Sequence, residues 1–562
     1  MNIYNLNSIS PLSTEPQDSE LFNQWVEQND ICPFIEQEIQ DEHIILFASL
    51  NHLYIYSVLI QAADFNDEEI QDLLEWDVSP DSSWGEVYSA DKVWLEAPLS
   101  NSRSKILSQG EQMIFGRSFE GAITDSNYYE LAQKLTHLLE IHFVPDRNAW
   151  CKLDKLGDIQ EVVKLIKLDS KSILSSGTII SIQRKALEKY TTLSDTKLLR
   201  MFDFTRYKND GFNGWGKGIE KTINTDNIWG KLVVESRYGS YSRGIQVADL
   251  RFEKQKLIDE MWGRLENEGE YATFIAHDWK NKVVKEISCN PSQLGNYFVE
   301  SDLPFETSPA FFKPEVLTKY KTDREKYQLK NRSVSCRGSW FLKSFDVNSA
   351  GQVHAYLIDL SRLPYEEQLH WKQFNEPPKS GISLRSFKTD FEGDWDAEYD
   401  PLESLKQRLV ELDKDKVKWW KLRDRKAIDK VHYIFTDSKD EWAEEILNLD
   451  QLLVEGLEEK WLRIKAKELG RNPDVKLRSL KLLEECLVGD GFDEDHAKEI
   501  LGAFHEVHNL RSKLKGHTPG QEAVQIRKDV LRTFGSLQNH FRDLCQRCEE
   551  NMNIIINAFK KF

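Results

Sequence analysis

Two hydrophobic patterns follow one another along this chain, and the change falls near residue 400. The first part mixes short β-branched and aromatic runs with helical spacings. HIILFASLNHLYIYSVLI (43–60) predicts two strands around a turn at Ser49–His52. DEEIQDLLEW (67–76) predicts a short helix. NYYELAQKLTHLLEIHF (127–143) predicts a longer one, with apolar residues at 128, 131, 135, 138 and 139. GTIISIQ and KLVVESRYGS read as strands from their β-branched content. ATFIAHDWKNKVVKEISC (272–289) predicts a hairpin turned at Lys280–Asn281. SVSCRGSWFLKSFDV followed by QVHAYLIDLSRL predicts another, turned at Asn348–Gly351. Residues 374–402, rich in Pro, Gly, Ser and acids, read as a linker.

Beyond residue 402 the strand signals almost vanish. A lead-in helix (403–413) and a basic, aromatic stretch (414–430) precede four longer predicted helices. The first, 439–469, has Ser438 and Glu441 as a capping box and Gly470 at its C′ position. The second, 475–488, is stopped by Gly489, and the third, 494–515, follows Asp493 as N-cap. The fourth starts at Pro519, with Thr518 as cap and Gln521 three residues after it. Short connections between long helices imply an antiparallel bundle. The fold class expected is multidomain α+β: a large mixed α/β N-terminal part followed by an all-α four-helix bundle. The expected domains are 1–125 (α+β), 126–265 (α+β), 266–400 (β-rich, with the linker) and 401–562 (helical). No repeat at solenoid periods and no low-complexity tract interrupts this organisation.

Composition narrows the function classes. The 562 residues exceed what one core organises. A 40% hydrophobic and 30% charged make-up is that of a globular protein rather than a disordered one. The formal net charge of −19 argues against coating duplex nucleic acid through bulk charge, so any nucleic-acid contact must be local. Seven scattered cysteines give no disulfide framework and fit a reducing compartment. The N-terminal residues lack the basic and apolar regions of a signal peptide, and no run of 18 apolar residues predicts a membrane span. A cytoplasmic protein without membrane contact is expected.

The candidate chemistry lies in AFHEVHNLRSKLKGHTPG (503–520). On a helical wheel, Ala497, Ile500, Leu501, Val507 and Leu514 fall within about 80° of Phe504, and Arg511 falls near the middle of that arc. A guanidinium cannot shed its charge, so its burial demands a partner. That partner is a carboxylate of another helix, such as Glu455 or Glu458, a subunit interface, or a phosphate. Gly516 and Pro519 flank His517 as a helix stop, so the chain is expected to reverse and fold His517 back towards Arg511. The start of the next helix would add free N–H groups and its positive dipole end. Together these groups suit a phosphate.

Other motifs carry less. Gly211–Lys217 has P-loop spacing, but Gly218 stands where Ser or Thr should hold Mg²⁺. Cys545 and Cys548 lie on an apolar stripe with Phe541, Met552 and Phe559, which points to core packing rather than zinc or redox chemistry. His277, Asp278, Lys285 and Glu286 lack the spacing of a metal nuclease and read as a solvent-facing hairpin. Trp419 and Trp420, among lysines and arginines, suit either a domain interface or stacking on single-stranded RNA. Arg237–Gly244 reads as a polar aromatic loop. His508 reads as a core or interface histidine. No residue pattern calls for a cofactor or a metal.

Arg511 and His517 match the R-x(4–6)-H motif of the HEPN superfamily, at the end of one bundle helix and before the last. The region 438–562 resembles a HEPN domain, under a third of the chain. Ser512 stands where Asn or Asp is commoner. The resemblance implies a metal-independent endoribonuclease with Arg511 and His517 as catalytic residues. His517 would handle the 2′-hydroxyl proton or the leaving 5′-oxygen, and Arg511 would hold the scissile phosphate. Lys513, Lys515 and Ser512 are RNA-binding candidates; solvated surface lysines are the plainer reading of the first two. The resemblance further implies RNA as substrate, a homodimer or higher oligomer, and a toxin-like or anti-phage effector. The N-terminal part would sense a trigger or a regulatory protein. The alternatives are a non-catalytic HEPN-based dimerisation and partner-binding scaffold, or a phosphate- or nucleotide-sensing protein.

Overall fold

The computed structural model describes residues 30–62, 66–74, 81, 84–100, 102, 104–120, 125–168, 177–206, 219–235, 239–261, 270–394, 399–424, 426–435, 438–515 and 521–560. The chain is mixed α/β, strand-rich in its N-terminal part and helical towards its C-terminus. It forms two compact units. The first runs to residue 268 without 155–158; the second comprises 155–158 and 269–562.

The first unit is built on an eleven-stranded antiparallel sheet. Its strands are β1 (His43–Leu50), β2 (Leu53–Gln61), β3 (Glu111–Gln112), β4 (His142–Val144), β5 (Ala149–Leu153), β6 (Ile159–Leu168), β7 (Gly177–Gln183), β8 (Thr196–Arg206), β9 (Ile219–Asn224), β10 (Ile228–Glu235) and β11 (Gly239–Ala248). The order is β9-β10-β11-β8-β2-β1-β7-β6-β5-β4, with β3 beside β2. The central strands are apolar on both faces, as a sheet covered on both sides requires. Ile44, Leu46, Val58 and Ile60 join one core with Leu187 and Tyr190 of α2 (Arg184–Ser194). Ile45, Ile55 and Phe202 join another with Ile35 of α1 (Cys32–Glu38).

The predicted β1–β2 hairpin forms, with Phe47 opposite Tyr56. The helix expected over 127–143 does not. Asp125–Leu131 pairs with Ile114–Glu120 as a hairpin, and only Gln133–Leu139 is helical, ending at left-handed Glu140 (φ 55°). Tyr128 and Tyr129 suit a pleated strand better than a helix, and strand pairing overrides the apolar spacing. The stretch read as a loop over 237–244 belongs to β11 from Gly239 onward. The P-loop-like Gly211–Lys217 lies outside the described residues.

In the second unit a sheet of six strands comprises β12 (Thr273–Asp278), β13 (Val283–Ser288), β14 (Pro309–Phe312), β15 (Asp346–Val347), β16 (Val353–Tyr356) and β17 (Asn375–Glu376). Their order is β13-β12-β14-β16-β15, with β17 on β14. Both predicted hairpin turns are present, although Val334–Cys336 and Trp340–Leu342 belong to a separate three-stranded meander with Tyr327–Leu329. Residues 375–392, expected as linker, are folded. Glu376 pairs with β14, and Ser383, Arg385 and Ser386 bond to the buried Asp346. Periodicity is weak there because these bonds, rather than an apolar face, hold the chain.

The helical part comprises α3 (Pro401–Lys414), α4 (Lys439–Leu453), α5 (Glu459–Glu468), α6 (Ser479–Gly489), α7 (Glu494–Ile500), α8 (Gly502–Lys515), α9 (Gln521–Phe534) and α10 (Leu537–Phe559). One continuous core runs from Phe274 and Phe312 through Trp371 to Trp442, Phe504 and Phe541. Three of the four long helices expected are broken. The third bends at Leu501, ahead of Gly502. The fourth breaks at Gly535 (φ 77°), after which the Ser536 side chain caps α10. The first opens at 454–458 to pair with the basic, aromatic stretch. Lys421 N donates to Gly456 O at 2.9 Å, and Glu458 N donates to Trp419 O at 2.9 Å. Trp419 and Trp420 are buried here in the core of the second unit, rather than at the domain interface or the RNA-stacking surface the sequence suggested.

Gly456 is the residue that permits this crossing. A Cβ there would lie 2.2 Å from Nε1 of Trp420, a fully buried ring. Gly456→Ala is therefore expected to destabilise the unit by about 1–3 kcal/mol, the usual cost of overpacking. The denaturant midpoint measures it, and an unchanged midpoint would contradict the packing described.

Candidate functional site

Arg511 sits on α8 one turn before its end. The apolar stripe predicted from the wheel exists: Ala497, Ile500, Leu501, Phe504 and Val507 are buried, and Leu514 packs against them. Arg511 lies at the edge of this stripe, 34% exposed, rather than at its centre. Its Nη2 donates to Glu455 Oε1 at 3.1 Å, and its Nε lies 3.5 Å from Asp450 Oδ2. Glu455 is one of the two carboxylates the sequence offered. Glu458, the other, pairs instead with Lys421 at 2.8 Å.

Asp450 is the member that sequence reading missed. It lies on α4 within the apolar run ILNLDQLL, and its side chain is fully buried. Its Oδ1 is 3.0 Å from Nδ1 of His508, one turn before Arg511 on α8. Burial pushes the Asp450 carboxyl above its ordinary value, and the hydrogen bond and charge of His508 and the charge of Arg511 oppose that shift. The signal was a lone acid on an apolar helix face facing an equally misplaced arginine. His508 is not a core residue; its side chain is 43% exposed.

Of the other candidates, Ser512 Oγ donates to the His508 carbonyl at 2.9 Å, a back-bond within the helix. Lys513 pairs with Glu522 at 2.6 Å. The Lys515 side chain and all of His517 lie outside the described residues, as do Thr518 and Pro519.

A second polar cluster lies deeper. Trp442 Nε1 donates to His540 Nδ1 at 3.2 Å, so Nε2 carries the ring hydrogen and faces Glu506 at 3.2 Å. Arg547 donates to the same carboxylate at 2.7 Å. Burial alone would raise the Glu506 carboxyl, but the bonds from His540 and Arg547 hold it down at about 2. His540 is almost wholly buried, so this cluster fastens α8 to α10 rather than meeting a substrate.

The remaining motifs are structural. Cys545 and Cys548 are buried in the core, and all seven cysteines are free thiols. Asp278 is buried at the β12–β13 hairpin and bound to Lys285 at 2.8 Å. Among the described residues no three His, Cys, Asp or Glu side chains gather as metal ligands, and no helix is long and apolar enough to cross a membrane. No family model, curated protein or solved structure matches the chain.

Proposed function

We propose that the helical part is a metal-independent endoribonuclease in which Arg511 holds the scissile phosphate and His517 moves a proton. The N-terminal part restrains this activity or senses its trigger, as in a toxin-like or anti-phage effector. The observation that carries the reading is the setting of Arg511. Its guanidinium is partly exposed near a helix end and held by carboxylates on one side only, in a motif with the spacing of HEPN nucleases. A phosphodiester offers the guanidinium an anionic acceptor in place of the single Glu455 oxygen that Nη2 now bonds, so RNA binding exchanges one anionic partner for another. Lys513 and Ser512 line the same end of α8, and with one HEPN-like domain per chain a composite site implies a homodimer.

Overexpression in a bacterial host tests the reading. The wild-type chain is expected to arrest growth, and Arg511→Ala or His517→Ala to relieve the arrest while still folding. Toxicity unchanged in both variants would overturn it.

A second reading has its own observation. Asp450 and Glu455 together already neutralise Arg511, as they would a purely structural arginine. The bundle is then a dimerisation and partner-binding scaffold, and His517→Ala leaves every property unchanged.

A further inference from the structure

Asp450 does more than balance Arg511. Its two oxygens are divided: Oδ1 faces His508 Nδ1 at 3.0 Å, and Oδ2 faces Arg511 Nε at 3.5 Å. An ionised carboxylate only accepts hydrogen bonds, so Nδ1 of His508 carries the hydrogen and Nε2 keeps its lone pair. The carboxylate is buried, whereas the imidazole it orients reaches solvent. Among the described residues Nε2 has no protein partner. Residues three apart on a helix are neighbours, with Cβ atoms about 5–6 Å apart, so His508 and Arg511 present their outer atoms to the same surface. Of the charged groups in this cluster, Asp450 bonds the ring, and Arg511, paired with Glu455, shares the Asp450 carboxylate. A buried acid, an imidazole locked in one tautomer and an adjacent guanidinium form the arrangement that general-base catalysis on an anionic substrate requires.

We propose that His508, oriented by Asp450, is the general base of this site and takes the 2′-hydroxyl proton of an RNA phosphodiester held by Arg511. The proposal rests on the ribonuclease reading above. The 2′-oxygen attacks phosphorus while its proton passes to His508 Nε2, and the P–O5′ bond breaks. O5′ leaves with the bonding pair and takes a proton from solvent. The products are a 2′,3′-cyclic phosphate and a 5′-hydroxyl. His508 then returns its proton to solvent.

The test uses the full chain and a labelled single-stranded RNA oligonucleotide, with kcat and KM measured from pH 4.5 to 9. His508→Ala is expected to lower kcat by about 10²–10⁴, the usual worth of a general base. KM stays within about threefold, and the acidic limb of the kcat/KM profile disappears. Added imidazole restores part of the rate. Asp450→Asn keeps the packing and removes the charge, so it moves the acidic limb to lower pH. His508→Gln, which retains a donor to Asp450, serves if the alanine variant does not fold. An active wild type alongside a His508 variant with equal kcat and an intact acidic limb would overturn this assignment alone. A wild type that cleaves no RNA, with or without cell extract as a source of trigger, would overturn the ribonuclease reading and this assignment together.

Discussion

Arg200→Ala is expected to lower the stability of the strand-rich unit by about 3–5 kcal/mol, the cost of leaving one member of a buried ion pair alone. Arg200 lies on β8 with no exposed surface. Its Nε and Nη2 donate to Gln246 Oε1 at 2.9 and 2.6 Å, Nη2 also donates to Ile35 O at 2.9 Å, and Nη1 binds Glu38. The other Glu38 oxygen accepts from Ile45 N at 2.5 Å. This set ties α1, β1, β8 and β11 together through one guanidinium. Removing it strands the Glu38 carboxylate in the core. Arg200→Met combined with Glu38→Leu removes both charges and is expected to recover most of the loss. Denaturant unfolding followed by fluorescence measures both variants. A loss under about 1 kcal/mol for Arg200→Ala would contradict the structure at this point.

The second unit is expected to lose stability as pH falls below 6.5. His354 on β16 is completely buried; its Nε2 accepts from Ser383 N at 3.0 Å, and among the described residues its Nδ1 has no partner. Burial pushes its pKa down from 6.5 to about 4. His432 is pushed down to about 2, first by burial and then by the positive charges of Lys406, Arg324 and Lys321. The sign follows from linkage. The unfolded histidine takes a proton near pH 6.5 and the folded one does not, so protons favour unfolding. Stability is complete above 6.5 and is lost as pH falls towards the folded values. His354 alone accounts for about 3 kcal/mol across its window, at 1.36 kcal/mol per unit. His354→Gln preserves the acceptor for Ser383 and is expected to flatten the fall between pH 6.5 and 4. A wild-type stability independent of pH over that range would contradict it.

Much of this fold could be read from the sequence, for identifiable reasons. The β1–β2 and β12–β13 hairpins follow from alternation and turn residues, and α3, α4 and α6 follow from apolar spacing and caps. What failed did so where tertiary pairing decided the outcome. Tyr128 and Leu131 carry helical spacing but are held in a hairpin by Ile114–Glu120. The opening of the helix at Gly456 depends on Trp420, 36 residues earlier, which no local window contains. The break at Gly535–Ser536 was written in the sequence as a C′ glycine followed by a capping serine.

The site was legible in the same uneven way. An arginine on an apolar stripe predicted a carboxylate partner, and Glu455 is one. Asp450 escaped notice because an acid inside ILNLDQLL looks like an interruption until the helix opposite is known. His508 shares the stripe of α8 and so reads as a core or interface histidine, and periodicity cannot show that it bonds a buried carboxylate while its side chain stays 43% exposed.

The activity proposed for the helical part is metal-independent RNA cleavage. Its most direct test incubates the purified chain with total RNA and labelled oligonucleotides in EDTA, wild type beside His517→Ala. Cleavage by the wild type alone, leaving 2′,3′-cyclic phosphate ends, is the expected result. Cleavage that persists undiminished in His517→Ala would contradict it.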